Sequence, residues 1–214
     1  MATTKNITMK QFNGTDYDTL YPKTVYNQVS GVAPAGYGLG GIGTKVTDLN
    51  DAQESGFYSA FGAANLPPNV ESAQYGSVLV LCSQKNRVTQ VYFNDVTGGT
   101  GAIAVRRLNG NGWSAWEFIN PPTKLGVEYR TVERYNEKPV YAKMLNFGAL
   151  PNSTSKSFAH GISSLGYVVD IYGQGVAGQD VKVGVDTTNI TITSTSNLSA
   201  VTAYPVIKYT KTTD

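Results

Sequence analysis

From Gly56 onward the sequence consists of short runs rich in β-branched and aromatic residues, separated by tight, turn-forming spacers. SVLVLC, VTQVYFN and AIAVRRL are divided by QKNR and DVTGGTG, and NGNG leads into GWSAWEFI. VYAKMLNF, SKSFAHGI, YVVDIYG, VKVGV, NITITS and VTAYPVIKYT follow at similar spacing. Runs of this length and composition form strands, and the Asn, Gly and Asp between them supply the backbone conformations that close turns. Val181, Val183 and Val185 alternate with polar or small neighbours, as do Ile190 and Ile192. A period of two marks a strand with one buried face. The chain is therefore expected to be mainly β and to end in a β-sandwich. Pro205 lacks the N–H that a ladder needs, which predicts an edge position or a bulge for the last strand.

Punctuation along the chain predicts its organisation. Residues 1–30 are polar and aromatic, with Leu20, Tyr21, Val25 and Val29 at loose helical spacing around Pro22, so a short helix or hooked segment is expected there. Residues 31–122 read as a small β-rich module. It opens on the Gly- and Ala-rich SGVAPAGYGLGGIG and is closed by Trp113, Trp116 and Phe118. Pro121 and Pro122 mark a boundary, residues 123–134 a linker, and residues 135–214 the sandwich. About eighty residues is marginal for a lone sandwich, because a small domain leaves much of its surface exposed, and association between chains relieves this.

Composition removes several classes of function. Lys plus Arg number 17 against 15 Asp plus Glu, and only 15% of residues are charged. No single-sign field is available for nucleic acid. No run approaches the roughly eighteen apolar residues of a membrane helix, and MATTKNITMK has no apolar secretory core, so synthesis in the cytoplasm without membrane insertion is expected. Cys82, the single cysteine, ends an apolar run and reads as a small buried thiol.

Catalytic and cofactor motifs fail on context. Gly38, Gly40 and Gly43 satisfy G-x-G-x-x-G, but VAPAGY before them is no buried strand and the stretch with Asp48, Asn50 and Asp51 after them is no helix. Thr44 and Lys45 stand in the wrong order for a phosphate loop. His160 is the single histidine, without a partner serine elbow, and reads as a packed structural residue. No cofactor, metal site or catalytic residue is expected. Glycan cleavage needs only two carboxylates, and Asp48, Asp51, Glu54, Asp170, Asp180 and Asp186 are the candidates, although carboxylates in turns more often cap backbone N–H groups.

Aromatic side chains suggest a different chemistry. Tyr rings stack on the apolar faces of sugars while Asn, Asp and Gln take the hydroxyls. Tyr167, Tyr172, Gln174, Gln179 and Asp180 gather near strand ends and the loop GQGVAGQD, and are the candidate glycan-binding residues. The same tyrosines equally suit a sandwich core or an oligomer seam.

Three stretches resemble one family. MKQFNGTDYDTLYPKT (residues 9–24) resembles the opening of tail-fibre and baseplate proteins of bacteriophages and prophages. The run from GYGLGGIG to RRLNGNGWSAWEFI, with its W-x-x-W at Trp113 and Trp116, resembles the pyocin-knob module of phage tail fibres. YNEKPVYAKMLNFGALPNSTSKSFAHGI (residues 135–162), with the ending YTKTTD, resembles their C-terminal domains. The resemblance implies a homotrimeric tail-tip protein, with residues 1–30 attached to tail or baseplate proteins, a knob in the middle and a receptor-binding head at residues 135–214. Such heads bind bacterial surface polysaccharide or teichoic acid. A tail-tip glycan depolymerase and a purely structural baseplate or fibre adaptor are the alternatives.

Overall fold

The computed structural model describes residues 9–12, 14–15, 17–20, 43–96, 99–110, 112–176 and 178–214. Among the described residues every regular element is a strand, as the sequence predicts. A hairpin opens the chain, with β1 (Met9–Phe12) antiparallel to β2 (Tyr17–Leu20). Leu20, expected in a helical or hooked segment, therefore ends a strand. The remainder of that segment, residues 21–29, lies outside the described residues.

The middle of the chain contributes β3 (Thr44–Lys45), β4 (Gly56–Ser59), β5 (Gly76–Gln84), β6 (Arg87–Asn94), β7 (Ile103–Asn109), β8 (Gly112–Trp113) and β9 (Glu117–Asn120). Then come β10 (Glu128–Tyr135), β11 (Lys138–Met144), β12 (Gly148–Ala149), β13 (Ser155–Ala159), β14 (Leu165–Gln174), β15 (Val181–Val185), β16 (Asn189–Ser194) and β17 (Thr202–Lys211). A 12-stranded sheet runs in the order β12-β17-β11-β10-β9-β7-β6-β5-β4-β3, with β14 added to β17 and β8 to β7. A second sheet has the order β13-β16-β15.

The large sheet continues without interruption through the stretch expected as a linker. Residues 123–134 are mostly β10, which pairs antiparallel with β11 and touches β9 in parallel at Thr131 and Phe118. Charged residues crowd this strand, EYRTVERY, so it lacks the apolar signature of its neighbours. Glu117 compensates for them: it is 3% exposed and accepts Arg130 Nε at 3.0 Å and Arg134 Nη2 at 2.6 Å, with Arg107 Nη1 at 3.6 Å. Asn136 and Glu137, at φ 48° and 64°, close β10 onto β11 in a two-residue turn of the left-handed type that matches strand twist.

Two cores lie on opposite faces of this sheet. Val78, Val80, Tyr92, Ala104, Phe118 and Tyr129 project to one face and pack beneath the loops that carry Leu49, Ala52, Ala60 and Ala63. Tyr141, Ile207 and Tyr209 project to the other and pack on Ile190 and Ile192 of the small sheet, completing the C-terminal sandwich. The change of face occurs between neighbours, because Tyr129 pairs with Ala142 while the adjacent Arg130 pairs with Tyr141.

Pro205 does not lie at an edge. β17 is central, with β14 on one side and β11 followed by β12 on the other. The Pro205 carbonyl accepts Leu145 N at 2.8 Å just beyond the end of β11, and the proline has no N–H with which to return the second bond of that pair. His160 is structural, as expected: it is 2% exposed, its Nδ1 accepts Ile162 N at 3.0 Å and its Nε2 donates to Asp186 O at 3.1 Å. Cys82 is half-buried and not fully buried as expected, packing against the margin of the first core.

The two tryptophans enclose a cation, a role the sequence reading did not give them. Arg106 is 4% exposed, with its guanidinium 4.2 Å from the centre of the Trp113 ring and 4.6 Å from that of Trp116. Its Nε donates to Gln90 Oε1 at 2.9 Å, and Gln90 Nε2 donates to Leu49 O and Ala52 O at 2.6 and 2.8 Å. Burial pulls the guanidinium down to about 10, which leaves it charged at neutral pH. Two ring faces and an amide oxygen offset its lost hydration.

Trp116→Ala removes one ring face and the Trp116 Nε1 bond to Asn65 O. It is expected to cost about 3–5 kcal/mol in denaturant unfolding. Glu137→Gly, at an exposed turn position with positive φ, is expected to stabilise by about 1 kcal/mol in the same measurement.

Candidate functional site

β14 adds to the large sheet beyond β17, and pleating alternates its side chains across the two faces. Tyr172 and Gln174 share the face opposite the second core with Val206 and Tyr204, their cross-strand partners. Met144 pairs with Val206, and Leu125 bridges to Met144. The row Leu125, Met144, Val206 and Tyr172 thus crosses the sheet and lines a cleft of about 340 Å³, with Tyr204, Gln174 and Thr123 at its rim. Its size falls within the range of small-ligand pockets. Val206 forms a buried floor, while Leu125 at 50% and Tyr172 at 43% exposure stand up as walls.

Lys208, one pleat further along β17, holds its ammonium 5.7 Å from the centre of the Tyr172 ring. Its Nζ donates to Glu133 Oε1 at 2.6 Å, and this bond, opposed by burial, raises its affinity for the proton. The result is a Tyr-walled apolar floor with an amide at one end and a fixed cation at the other.

Gly173 gives the cleft its shape. It pairs with Pro205 at φ 120°, and a Cβ there would stand 2.5 Å from the Tyr204 carbonyl oxygen. The β14 backbone therefore approaches β17 more closely than any side chain allows.

The structure divides the five residues named from sequence. Tyr172 and Gln174 line the cleft. Tyr167 stands at the other end of β14, about 16 Å away along the strand, where it is 66% exposed and its ring centre lies 6.0 Å from that of Tyr135. Gln179 is half-buried and Asp180 exposed in the loop before β15. Leu125, Met144, Tyr204 and Lys208 were missed. The two-residue period of TAYPVIK does place Tyr204, Val206 and Lys208 on one face, whereas nothing in the sequence brings Leu125 to them.

Several of the carboxylates serve the backbone. Asp48 accepts Asn50 N at 2.8 Å and Asn65 Nδ2 at 2.7 Å, and these bonds hold it below the usual carboxylate range. Asp186 accepts Asn189 N and Thr188 N, both at 2.7 Å, and is lowered by them. Asp170 accepts the adjacent Ile171 N at 2.8 Å. Among the described residues no group of three or more His, Cys, Asp or Glu is arranged to hold a metal.

The chain is similar to pyocin tail fibres. It is 15% identical to an N-truncated R2-type pyocin tail fibre over 76% of this chain and 93% of that one, with a TM-score of 0.28. Against the R1 pyocin fibre of P. aeruginosa (C-terminal residues 323–701) the identity is 13%, covering 77% of this chain and 66% of that one, with a TM-score of 0.28. Against the R2 fibre of P. aeruginosa (C-terminal residues 323–691) it is 14%, covering 90% and 70%, again with a TM-score of 0.28. Likenesses at this level assign no function to this chain. No protein-family model matches the chain, and a search of curated proteins finds no relative.

Gly173→Ala is expected to push β14 off β17. It should destabilise the protein by about 2 kcal/mol in denaturant unfolding, within the range for a strained backbone site.

Proposed function

We propose that this chain is a receptor-binding protein at the tail tip of a phage or phage-like particle. It attaches the particle to a bacterial surface glycan through the cleft between Tyr172 and Tyr204, without catalysis. One observation carries the reading: an open cleft with two tyrosines, an apolar floor and an amide stands on a rigid sheet, which is the chemistry that recognises a sugar ring by its faces and hydroxyls. The sequence resemblance to tail-fibre proteins, from the opening at residues 9–24 to the ending YTKTTD, supplies the biological setting. In that setting residues 1–30 attach to tail or baseplate proteins. A homotrimer presents three equivalent sites, and their avidity multiplies a weak single-site affinity.

Because β10 bonds to both halves of the sheet, the test uses the full chain and not fragments. Fluorescently labelled protein is titrated onto purified bacterial cell-wall glycans and whole cells. Tyr172→Ala is expected to weaken binding at least tenfold, a loss of about 1.4 kcal/mol, at an unchanged thermal midpoint. Wild-type binding by both Tyr172→Ala and Tyr204→Ala defeats the cleft assignment. Soluble sugar released from the glycan by the wild type, and lost in Asp170→Asn, favours the depolymerase. Failure of the wild type to decorate any surface favours the adaptor.

A further inference from the structure

Tyr167 lies apart from the cleft, yet it stands on the same face of the sheet. The cleft residues Met144 and Val206 share that face with the cross-strand pair Ala142 and Lys208 and, by the two-residue period, with Val140 and Thr210. Lys138 and Tyr135, paired beside the turn between β10 and β11, fall on it as well. Tyr167 N donates to Thr210 Oγ1 at 3.0 Å, and the Tyr167 ring centre lies 6.0 Å from that of Tyr135. Since β17 and β11 separate β14 from β10, the two rings lean toward each other over these strands. Val140 and Thr210, between them, are each 1% exposed.

A bulge brings Tyr167 to this face. In a regular strand a residue five positions from Tyr172 projects to the opposite side. Val168 pairs with Tyr209 and Asp170 with Lys208, so β14 takes up one extra residue between them and the alternation reverses. The bulge also shortens the span. Along β17, which runs without a bulge, Val206 beside Tyr172 and Thr210 beside Tyr167 are four residues apart, a straight distance of about 13 Å. One sugar ring does not bridge that distance, whereas a short linear chain does.

Charge narrows the kind of chain. Midway along the strip, Lys208 donates to Glu133 at 2.6 Å and has Asp170 as its cross-strand partner. At the Tyr135 end Lys138 donates to Lys211 O at 3.3 Å, and near the Thr123 rim Lys124 pairs with Glu71 at 3.4 Å. Each of these lysines is thus already engaged by an oxygen of the chain. A phosphate lying along the strip would meet the Glu133 and Asp170 carboxylates without a free ammonium to offset them. An uncharged sugar meets acceptors for its hydroxyls there and ring faces at both ends.

We infer that the binding site is an extended groove with two aromatic subsites, Tyr172 with Tyr204 at one end and Tyr135 with Tyr167 at the other, whose ligand is a linear, uncharged polysaccharide and not a phosphate-linked polymer. The inference rests on the reading of the cleft as a glycan site and adds a second anchor, a minimum length and a class of sugar.

The test titrates the full chain by calorimetry with length-sorted fragments of the neutral wall polysaccharide from cells that it decorates, and separately with polyglycerol phosphate. From the disaccharide to fragments that reach both tyrosine pairs, affinity is expected to rise about fivefold, the scale of one aromatic stacking contact. Tyr167→Ala is expected to abolish this rise and Tyr167→Phe to keep it. Both should bind the disaccharide as the wild type does, which reports an intact fold and cleft. Equal affinity for short and long fragments, a length dependence that survives Tyr167→Ala, or binding of polyglycerol phosphate as tight as that of the neutral fragments each overturns the inference. If Tyr172→Ala still weakens binding in those cases, the cleft reading stands and the extended groove alone fails; wild-type binding by Tyr172→Ala and Tyr204→Ala defeats both.

Discussion

Glu117 is the point on which the two halves of the protein depend. Its buried carboxylate gathers Arg107, Arg130 and Arg134 from β7 and β10 and allows a heavily charged strand to join the sheet. Removing an arginine from such a cluster leaves the buried Glu117 carboxylate less compensated, which costs more than a pair exposed on the surface would. With β10 in place, Thr131 meets Phe118 on one side and the β11 hairpin forms on the other. Glu128 extends the tie to the last strand through the Tyr209 hydroxyl and through Lys211 Nζ at 2.5 Å.

Placing the cores on opposite faces follows from that continuity. A twisted sheet with the same face covered throughout would need one lid spanning both halves. Here the loops around Leu49 and Ala60 close one half from one side, and β13, β15 and β16 close the other from the opposite side. Among the described residues, each half therefore leaves one face uncovered. In the C-terminal half this is the face of the Tyr172 cleft; in the middle half it is the face of the half-buried Leu79 and Val91.

Much of the fold was legible in the sequence because strand signals are local. The valines at 181, 183 and 185 and the isoleucines at 190 and 192 identified their strands and faces correctly. What failed was information carried by distant partners. The stretch 123–134 reads as a linker until Glu117 is seen beneath its arginines, and Trp113 and Trp116 read as closing an apolar module until Arg106 is seen between them. Pro205 cannot donate, yet it lies in a central strand and not at an edge, accepting Leu145 N where the β11 ladder ends. Of the binding candidates, Tyr172 and Gln174 share a cleft, whereas Tyr167 stands away from it because five residues of extended chain span most of the sheet's height.

The absence of a tether between the halves has a mechanical consequence. Two domains on a flexible linker reorient independently, and a twist applied to one is dissipated before it reaches the other. Here β9, β10 and β11 are hydrogen-bonded neighbours in one sheet and the Glu117 ion pairs brace them, so the halves turn as one lever. Torque delivered to the rim at Tyr172 arrives at β5 and β6 as a change of angle.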